Sequence, residues 1–207
     1  MPKKEAPLNQ LGSYLPPGTF NAVEEYLRYY KIHLTITRHR KSILGDYRQR
    51  THFENHRISI NGSLNKYSFL ITLLHEIAHL LTFEKHGNRV MAHGLEWKNI
   101  YASLLKQFVE NKVFPGDIEN ELLSSLKNPA ASSCAEDDLI RVLRKYNEHS
   151  NGYKLVEEIP LSGIFKLDDG RVFQRGEKQR KRFKCEEIGT GRVYLFSPVY
   201  EVEYVIN

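Results

Sequence analysis

Three residues near the middle of the chain could do chemistry together. His75, Glu76 and His79 stand in the order His-Glu-Ile-Ala-His. On a helix the two histidines lie at i and i+4, on one face with roughly 5–6 Å between Cβ atoms, so both imidazoles can reach a single metal ion. Zinc suits this donor set, and a carboxylate at Glu76 can take a proton from a zinc-bound water whose pKa has fallen to about 7. The chemistry would be hydrolysis, with one Zn2+ held in part by His75 and His79 and with Glu76 as general base.

The element that must carry these residues is legible around them. From Phe69 to Phe83 nearly every other residue is apolar, and a helix that is hydrophobic all round is normally buried. A carboxylate and two imidazoles inside it would cost several kcal/mol unless something compensates them. A metal ion would do so. The competing interpretation is a chance pattern whose histidines merely pack. It fits poorly, because a chance match would fall on a polar surface far more often than inside such a helix.

A catalytic zinc needs a third protein ligand and an open position. His86 follows His79 by seven residues and would lie about 10 Å further along the same helix, out of reach. It suits the helix C-terminus, where the macrodipole favours histidine. His93 comes after Gly87 and a turn, in His93-Gly94-Leu95-Glu96-Trp97-Lys98, where the chain can double back. Glu96 is the carboxylate alternative. His93 is the preferred third ligand, with His86 and Glu96 as rivals.

These segments resemble the SprT-like metalloprotease domain, to which the eukaryotic protease Spartan also belongs. The resemblance rests on HEIAH and on the His93-Gly94 to Trp97-Lys98 segment fourteen residues later. It extends upstream through Ile43-Leu44-Gly45-Asp46-Tyr47, Ile58-Ser59-Ile60-Asn61, Leu64 and Thr72-Leu73-Leu74, and covers about Phe20 to Gln107. It implies zinc ligands at His75, His79 and His93, and Glu76 as general base. It also implies a substrate that is protein, bound or crosslinked to DNA. The implied fold is α+β: a zincin-like SprT domain, with a small antiparallel sheet packed on the central HExxH helix and further helices, then a β-rich C-terminal hairpin unit. Residues 1–18 would be an N-terminal tail, 19–128 the metalloprotease core, 129–147 a connecting helix and 148–207 the β-rich unit.

The local patterns agree with this outline. Asn21 to Tyr30 has the spacing of a helix, with Asn21 and Glu24 as a capping box. Lys31 to Arg38, Ile43 to Arg50 and His56 to Ile60 alternate as strands. Gly45 would let the chain bend or a substrate backbone come close. Ile43 to Arg50 is expected to be the sheet edge that holds an extended substrate above the metal. Asn61-Gly62-Ser63 forms a turn, and Ser63 could cap the active helix, Leu64 to His86. Leu95 to Glu110 carries an apolar stripe in which Trp97 is core and pins His93 in place. A short helix begins at Pro115-Gly116-Asp117 and ends before Pro129. Another, Ala135 to Tyr146, follows the capping pair Ser133 and Glu136. Beyond Asn147, strands are expected at Gly163 to Leu167, Arg171 to Gln174, Arg180 to Glu187, Arg192 to Phe196 and Tyr200 to Ile206.

Bulk properties bound the rest. With 207 residues, 41% hydrophobic and 27% charged, the chain describes an ordinary globular protein. No apolar run spans a membrane without charge, and no apolar signal core follows Met1-Pro2-Lys3-Lys4-Glu5, so a cytoplasmic or nucleoid-associated monomer is expected. Cys134 and Cys185 are too few and too far apart for a disulfide framework. Lys181 to Cys185 looks like the remains of one arm of the zinc ribbon that ends many bacterial relatives, but the other cysteines are missing and no second zinc is expected.

The net charge of +5 and a pI near 9.1 point only weakly to an acidic partner. The positive residues cluster, however. One group is Arg38, Arg40, Lys41, Arg48 and Arg50; the other runs from Arg171 through Arg175, Lys178, Arg180, Lys181 and Arg182 to Lys184. Either is a solvated hairpin face or a phosphate-tracking surface, and DNA is the partner such a surface would take. Phe173 and Phe183 in the second group could face the core instead. The second electrophile of a peptidase would be Arg48 or Tyr47. Two other classes stay open: a zinc-containing, nucleic-acid-associated binding module without proteolysis, and a metallohydrolase of a non-peptide bond.

Overall fold

The computed structural model describes residues 8–40, 43–126, 134, 136–147 and 152–205. The chain divides into two compact units, Met1–Tyr146 and Asn147–Asn207, and each buries its own apolar cluster. No described helix is long and apolar enough to cross a membrane.

The first unit is built, in order, from α1 (Leu8–Tyr14), α2 (Phe20–Tyr29), β1 (His33–Thr37), β2 (Gly45–Arg48), β3 (Arg57–Asn61), α3 (Lys66–His86), α4 (Leu95–Glu110), α5 (Gly116–Ser125) and α6 (Asp137–Arg144). Its centre is α3. Phe69 to Ala78 are all buried, as expected for a helix with no polar face. The N-terminal cap is Asn65, whose side chain accepts the Tyr67 and Ser68 amides at 3.1 and 2.9 Å. Ser63, the expected cap, instead bonds the Asn61 side chain in the preceding turn, because Asn65 stands at the distance from the first amides that a cap requires. Gly87 ends the helix at φ +60°, with its amide on Phe83 O at 2.7 Å.

Several expectations need correction. Within the expected tail, Leu8–Tyr14 form a helix that buries Leu11, with Leu15 buried just beyond it; two apolar side chains in an otherwise polar stretch are enough to dock one short helix. Asn21 and Glu24 make no capping box, since α2 starts at Phe20 behind Thr19. The small sheet is mixed, not antiparallel. Its order is β1-β3-β2, with β1 parallel and β2 antiparallel to β3. The chain leaves β1, passes the place of β3 and returns along the far edge. Alternation reveals which side chains share a face but not the direction of pairing, so the sequence pattern could not show this. Of the Ser133 to Tyr146 reading, Ser133 lies outside the described residues and the helix spans Asp137–Arg144.

The second unit is a six-stranded sheet of β4 (Tyr153–Leu155), β5 (Ile164–Lys166), β6 (Val172–Gln179), β7 (Arg182–Glu187), β8 (Val193–Phe196) and β9 (Glu201–Val205). The order is β4-β9-β5-β6-β7-β8, antiparallel throughout. Along β7, Phe183, Cys185 and Glu187 point inward while Arg182, Lys184 and Glu186 are exposed, the period of two that a half-buried strand demands. Cys185 is therefore a core residue in mid-strand beside Phe165 and Phe173, not the remnant of a ribbon arm. Strand β6 outruns its expected end at Gln174 because a bulge between Arg175 and Lys178 absorbs Gly176 and lets pairing resume.

Candidate metal centre

Helix α3 sets His75 and His79 one turn apart, with their Nε2 atoms 3.3 Å from each other. After Gly87 the chain turns back, and His93 sits in a tight turn closed by the Gly94 amide on Met91 O at 3.0 Å. Helix α4 starts at the next residue but one, so its rigid first turn fixes where His93 can reach. One nitrogen from each of His75, His79 and His93 lies within 4.8 Å of the other two. His86 and Glu96 are not in this group. The first is the last residue of α3, two turns away, and the second lies on α4 past the turn.

Trp97, fully buried on α4, supports all three imidazoles. Its ring centroid is 4.6, 5.2 and 4.8 Å from those of His75, His79 and His93. Tyr101 stacks against it at 5.0 Å. The expected pinning of His93 thus holds, and Trp97 in addition braces the two histidines of α3.

The donors fit a zinc ion. Two ligands of one tetrahedral zinc, each about 2.0–2.1 Å from it, stand roughly 3.3 Å apart, the spacing already present between His75 and His79. His93 Nε2 is buried and finds no hydrogen-bond partner among the described residues, so a cation would satisfy it. Burial, then the neighbouring His79 and His93, pushes the pKa of His75 down to about 3. Burial, then His93, pushes that of His79 down to about 4. His93 is lowered by burial and by Lys98. All three rings are therefore neutral near pH 7 and offer lone pairs without first losing a proton.

Glu76 follows His75 and faces the same cleft of about 670 Å³, which is lined on one side by the three histidines and on the other by Gly45, Asp46 and Tyr47 of β2. Burial, and then the charge of Asp46, raises its carboxyl to about 8 against the opposing pull of Arg40. A cation among the histidines would reverse that shift, since a bound metal is the largest charge in such a site. Gly45 explains how β2 comes so near: a Cβ there would stand 2.5 Å from Glu76 Oε1 and 2.7 Å from Thr72 Cγ2. What approaches Gly45 is the carboxylate of α3. Among the described residues strand β2 is an edge of its sheet and Gly45, Asp46 and Tyr47 of it line the cleft; an edge strand offers one row of backbone groups for pairing.

Sequence reasoning missed a polar chain next to these groups. Tyr47 Oη is 3.0 Å from Nδ1 of the buried His56, whose Nε2 is 3.3 Å from Glu84; Glu84 also holds Arg50 at 3.1 Å. His56 opens an apparent strand and Glu84 lies on the polar end of α3, and neither position carries a local signal.

The first basic group is largely committed within the fold. Arg40 bonds Ser59 Oγ and O at 3.2 and 3.3 Å, Arg48 pairs with Asp46 at 3.1 Å and Arg50 with Glu84. Arg38 is exposed, and Lys41 lies outside the described residues. In the second group Arg171 pairs with Asp169, and Arg175 is half-buried over the Phe183 ring at 4.2 Å. Lys178, Arg180, Lys181, Arg182 and Lys184 are exposed about the β6–β7 turn. Phe173 and Phe183 face the core.

Residues 20–116, from the start of α2 to the start of α5, match the model of the SprT-like family. The three-histidine group that could hold a metal falls within this matched segment. No curated protein and no solved structure matches the chain.

Proposed function

We propose that the protein is a zinc-dependent peptidase. The observation that carries this reading is a single cleft into which α3 and the turn before α4 bring three neutral imidazoles, beside a buried carboxyl and a sheet edge. His75, His79 and His93 would hold the metal. Zinc so held supplies Lewis acidity, lowering the pKa of a water to about 7 and polarising a carbonyl. Glu76 would accept a proton from the attacking water and return it to the leaving amine. The unpaired backbone of β2 receives the substrate as an added strand, which fixes the scissile bond relative to Glu76.

Zinc per chain, measured in protein purified without added metal, tests the ligand set. About one zinc in wild type and in His86→Ala, with little in His93→Ala, is the expected result. Casein or another unfolded protein then tests the reaction, which Glu76→Gln should abolish at unchanged zinc content. Retained zinc with no hydrolysis by wild type would favour a binding module. Hydrolysis confined to small esters or phosphates would favour a different metallohydrolase.

The proposal extends to DNA-associated protein as substrate. The exposed lysines and arginines about the β6–β7 turn offer phosphate contacts at short intervals. Charge reversal at Arg180 and Lys181 should weaken retention on DNA and flatten its salt dependence. Retention equal to wild type would remove this part of the reading and leave the peptidase part standing.

A further inference from the structure

We infer that Tyr47 is a catalytic residue of the proposed peptidase, its hydroxyl donating a hydrogen bond to the scissile carbonyl oxygen as charge builds there, and that His56 positions it. The inference rests on the peptidase reading and adds the group that reading lacks. Strand β2 alternates, so Gly45 and Tyr47 face α3, whereas Arg48 is exposed, pairs with Asp46 at 3.1 Å and is not among the residues that line the cleft. Arg48, the other candidate electrophile, is thus turned from the cleft. Tyr47 lines the cleft with the three histidines and Glu76, its ring nearly parallel to that of His79 with centroids 6.4 Å apart.

The hydroxyl is held in a defined way. Nδ1 of His56 receives two groups: Tyr47 Oη at 3.0 Å and the Arg50 backbone amide at 3.3 Å. A backbone amide can only donate, so Nδ1 carries the lone pair and the ring proton sits on Nε2, facing Glu84 at 3.3 Å. Tyr47 must then donate to Nδ1. The arrangement makes the Tyr47 hydrogen available at little cost, because when it turns to a substrate oxygen, His56 Nδ1 keeps the Arg50 amide. Pre-aimed donors of this kind act where charge develops and need no reorganisation during the reaction.

The test uses the zinc-loaded full chain and one peptide that wild type cleaves. Tyr47→Phe keeps the ring on His79 and removes the donor; kcat should fall roughly 10²–10³-fold with zinc content unchanged and KM within about threefold. A phosphinic peptide that mimics the tetrahedral species should lose affinity in the same proportion. His56→Gln, whose carbonyl oxygen can accept both donors while its amide donates to Glu84, should retain most of the activity, and His56→Leu should fall as far as Tyr47→Phe. In metal-free protein, nitrogen NMR of His56 should show a proton on Nε2 and none on Nδ1, in wild type and in Tyr47→Phe alike. Wild-type kcat in Tyr47→Phe, or a protonated Nδ1, would overturn the assignment while Glu76→Gln stayed inactive. Loss of the peptidase reading itself would show differently, as no cleavage by wild type or as full cleavage by Glu76→Gln.

Discussion

Each unit of the chain buries a glutamate, and the two are treated in opposite ways. Glu187, 9% exposed at the end of β7, accepts hydrogen bonds from Thr190 Oγ1 at 2.6 Å and Tyr194 Oη at 3.5 Å, and these close the turn into β8. Glu76, 6% exposed in α3, sits against the bare backbone of Gly45 with its carboxyl raised to about 8, beside histidines of which His75 Nδ1 and His93 Nε2 are buried without partners among the described residues. The first site spends its polarity inside the fold. The second leaves it unspent around a cleft, and buried polar groups kept in that state are where a metal and a substrate have something to gain.

If this contrast is right, exchanging each carboxylate for an amide should separate the two units. Glu76→Gln should reduce peptide hydrolysis by about 10²–10⁴-fold, the usual reach of a general base, without loss of fold or zinc. Glu187→Gln should leave turnover alone and cost the fold roughly 1.5–3 kcal/mol, the range for a hydrogen-bonded charged group. Turnover assays and urea denaturation on both variants decide the matter. A catalytic defect in Glu187→Gln would break the comparison.

Gly45→Ala tests how closely β2 must approach, with an effect between those two. The added methyl has no room beside Glu76 Oε1 and Thr72 Cγ2, so the carboxylate or the edge strand must shift. A displacement of about 1 Å can cost 10²-fold in rate. Zinc content should hold, because the ligands lie on α3 and in the turn before α4. Turnover equal to wild type would mean that neither the Glu76 position nor the strand edge matters to the reaction.

The sequence made one half of this comparison legible and concealed the other. His75, Glu76 and His79 were readable because three polar residues interrupt an apolar helix at a spacing that has a chemical reason. His93 followed from the need for a third donor past a helix-ending glycine. The edge position of β2 agreed with the strand pattern. Tyr47, His56, Glu84 and Arg50 were not readable as a group, since they come from three segments and meet only when the loop from Gln49 to Asn55 folds over the end of α3. The parallel pairing of β1 was hidden for a related reason: direction is a property of the connection, not of the strand. Helix α1 was missed because seven residues with one glycine give little periodic signal. In the second unit, the segment around Cys185 looks like part of a ribbon arm from sequence, and only its place in the alternation of β7 puts Cys185 among Phe165 and Phe173.

The smallest expected effect is the pH dependence of the metal-free fold, and it follows from the same imbalance. Glu76 rises from 4.5 to about 8, so between those values the folded state keeps a proton that the unfolded state has released, and stability falls as pH rises through this window. His75 and His79 drop from 6.5 to about 3 and 4. Between about 4 and 6.5 the unfolded state therefore binds more protons at these rings, and stability rises with pH. From about 4.5 to 6.5 the lowered histidines, His93 and His56 with them, outweigh one glutamate and the net slope is upward; the slope turns down only above about 7, once the unfolded histidines have lost most of their protons and Glu76 dominates. Chelator-treated protein should be most stable near pH 7 and lose on the order of 0.5 kcal/mol by pH 8. Urea denaturation at both values should find that loss in wild type and not in Glu76→Gln. The same alkaline loss in both would assign it to other groups and would mean that Glu76 is better compensated in the metal-free protein than its burial against Gly45 implies.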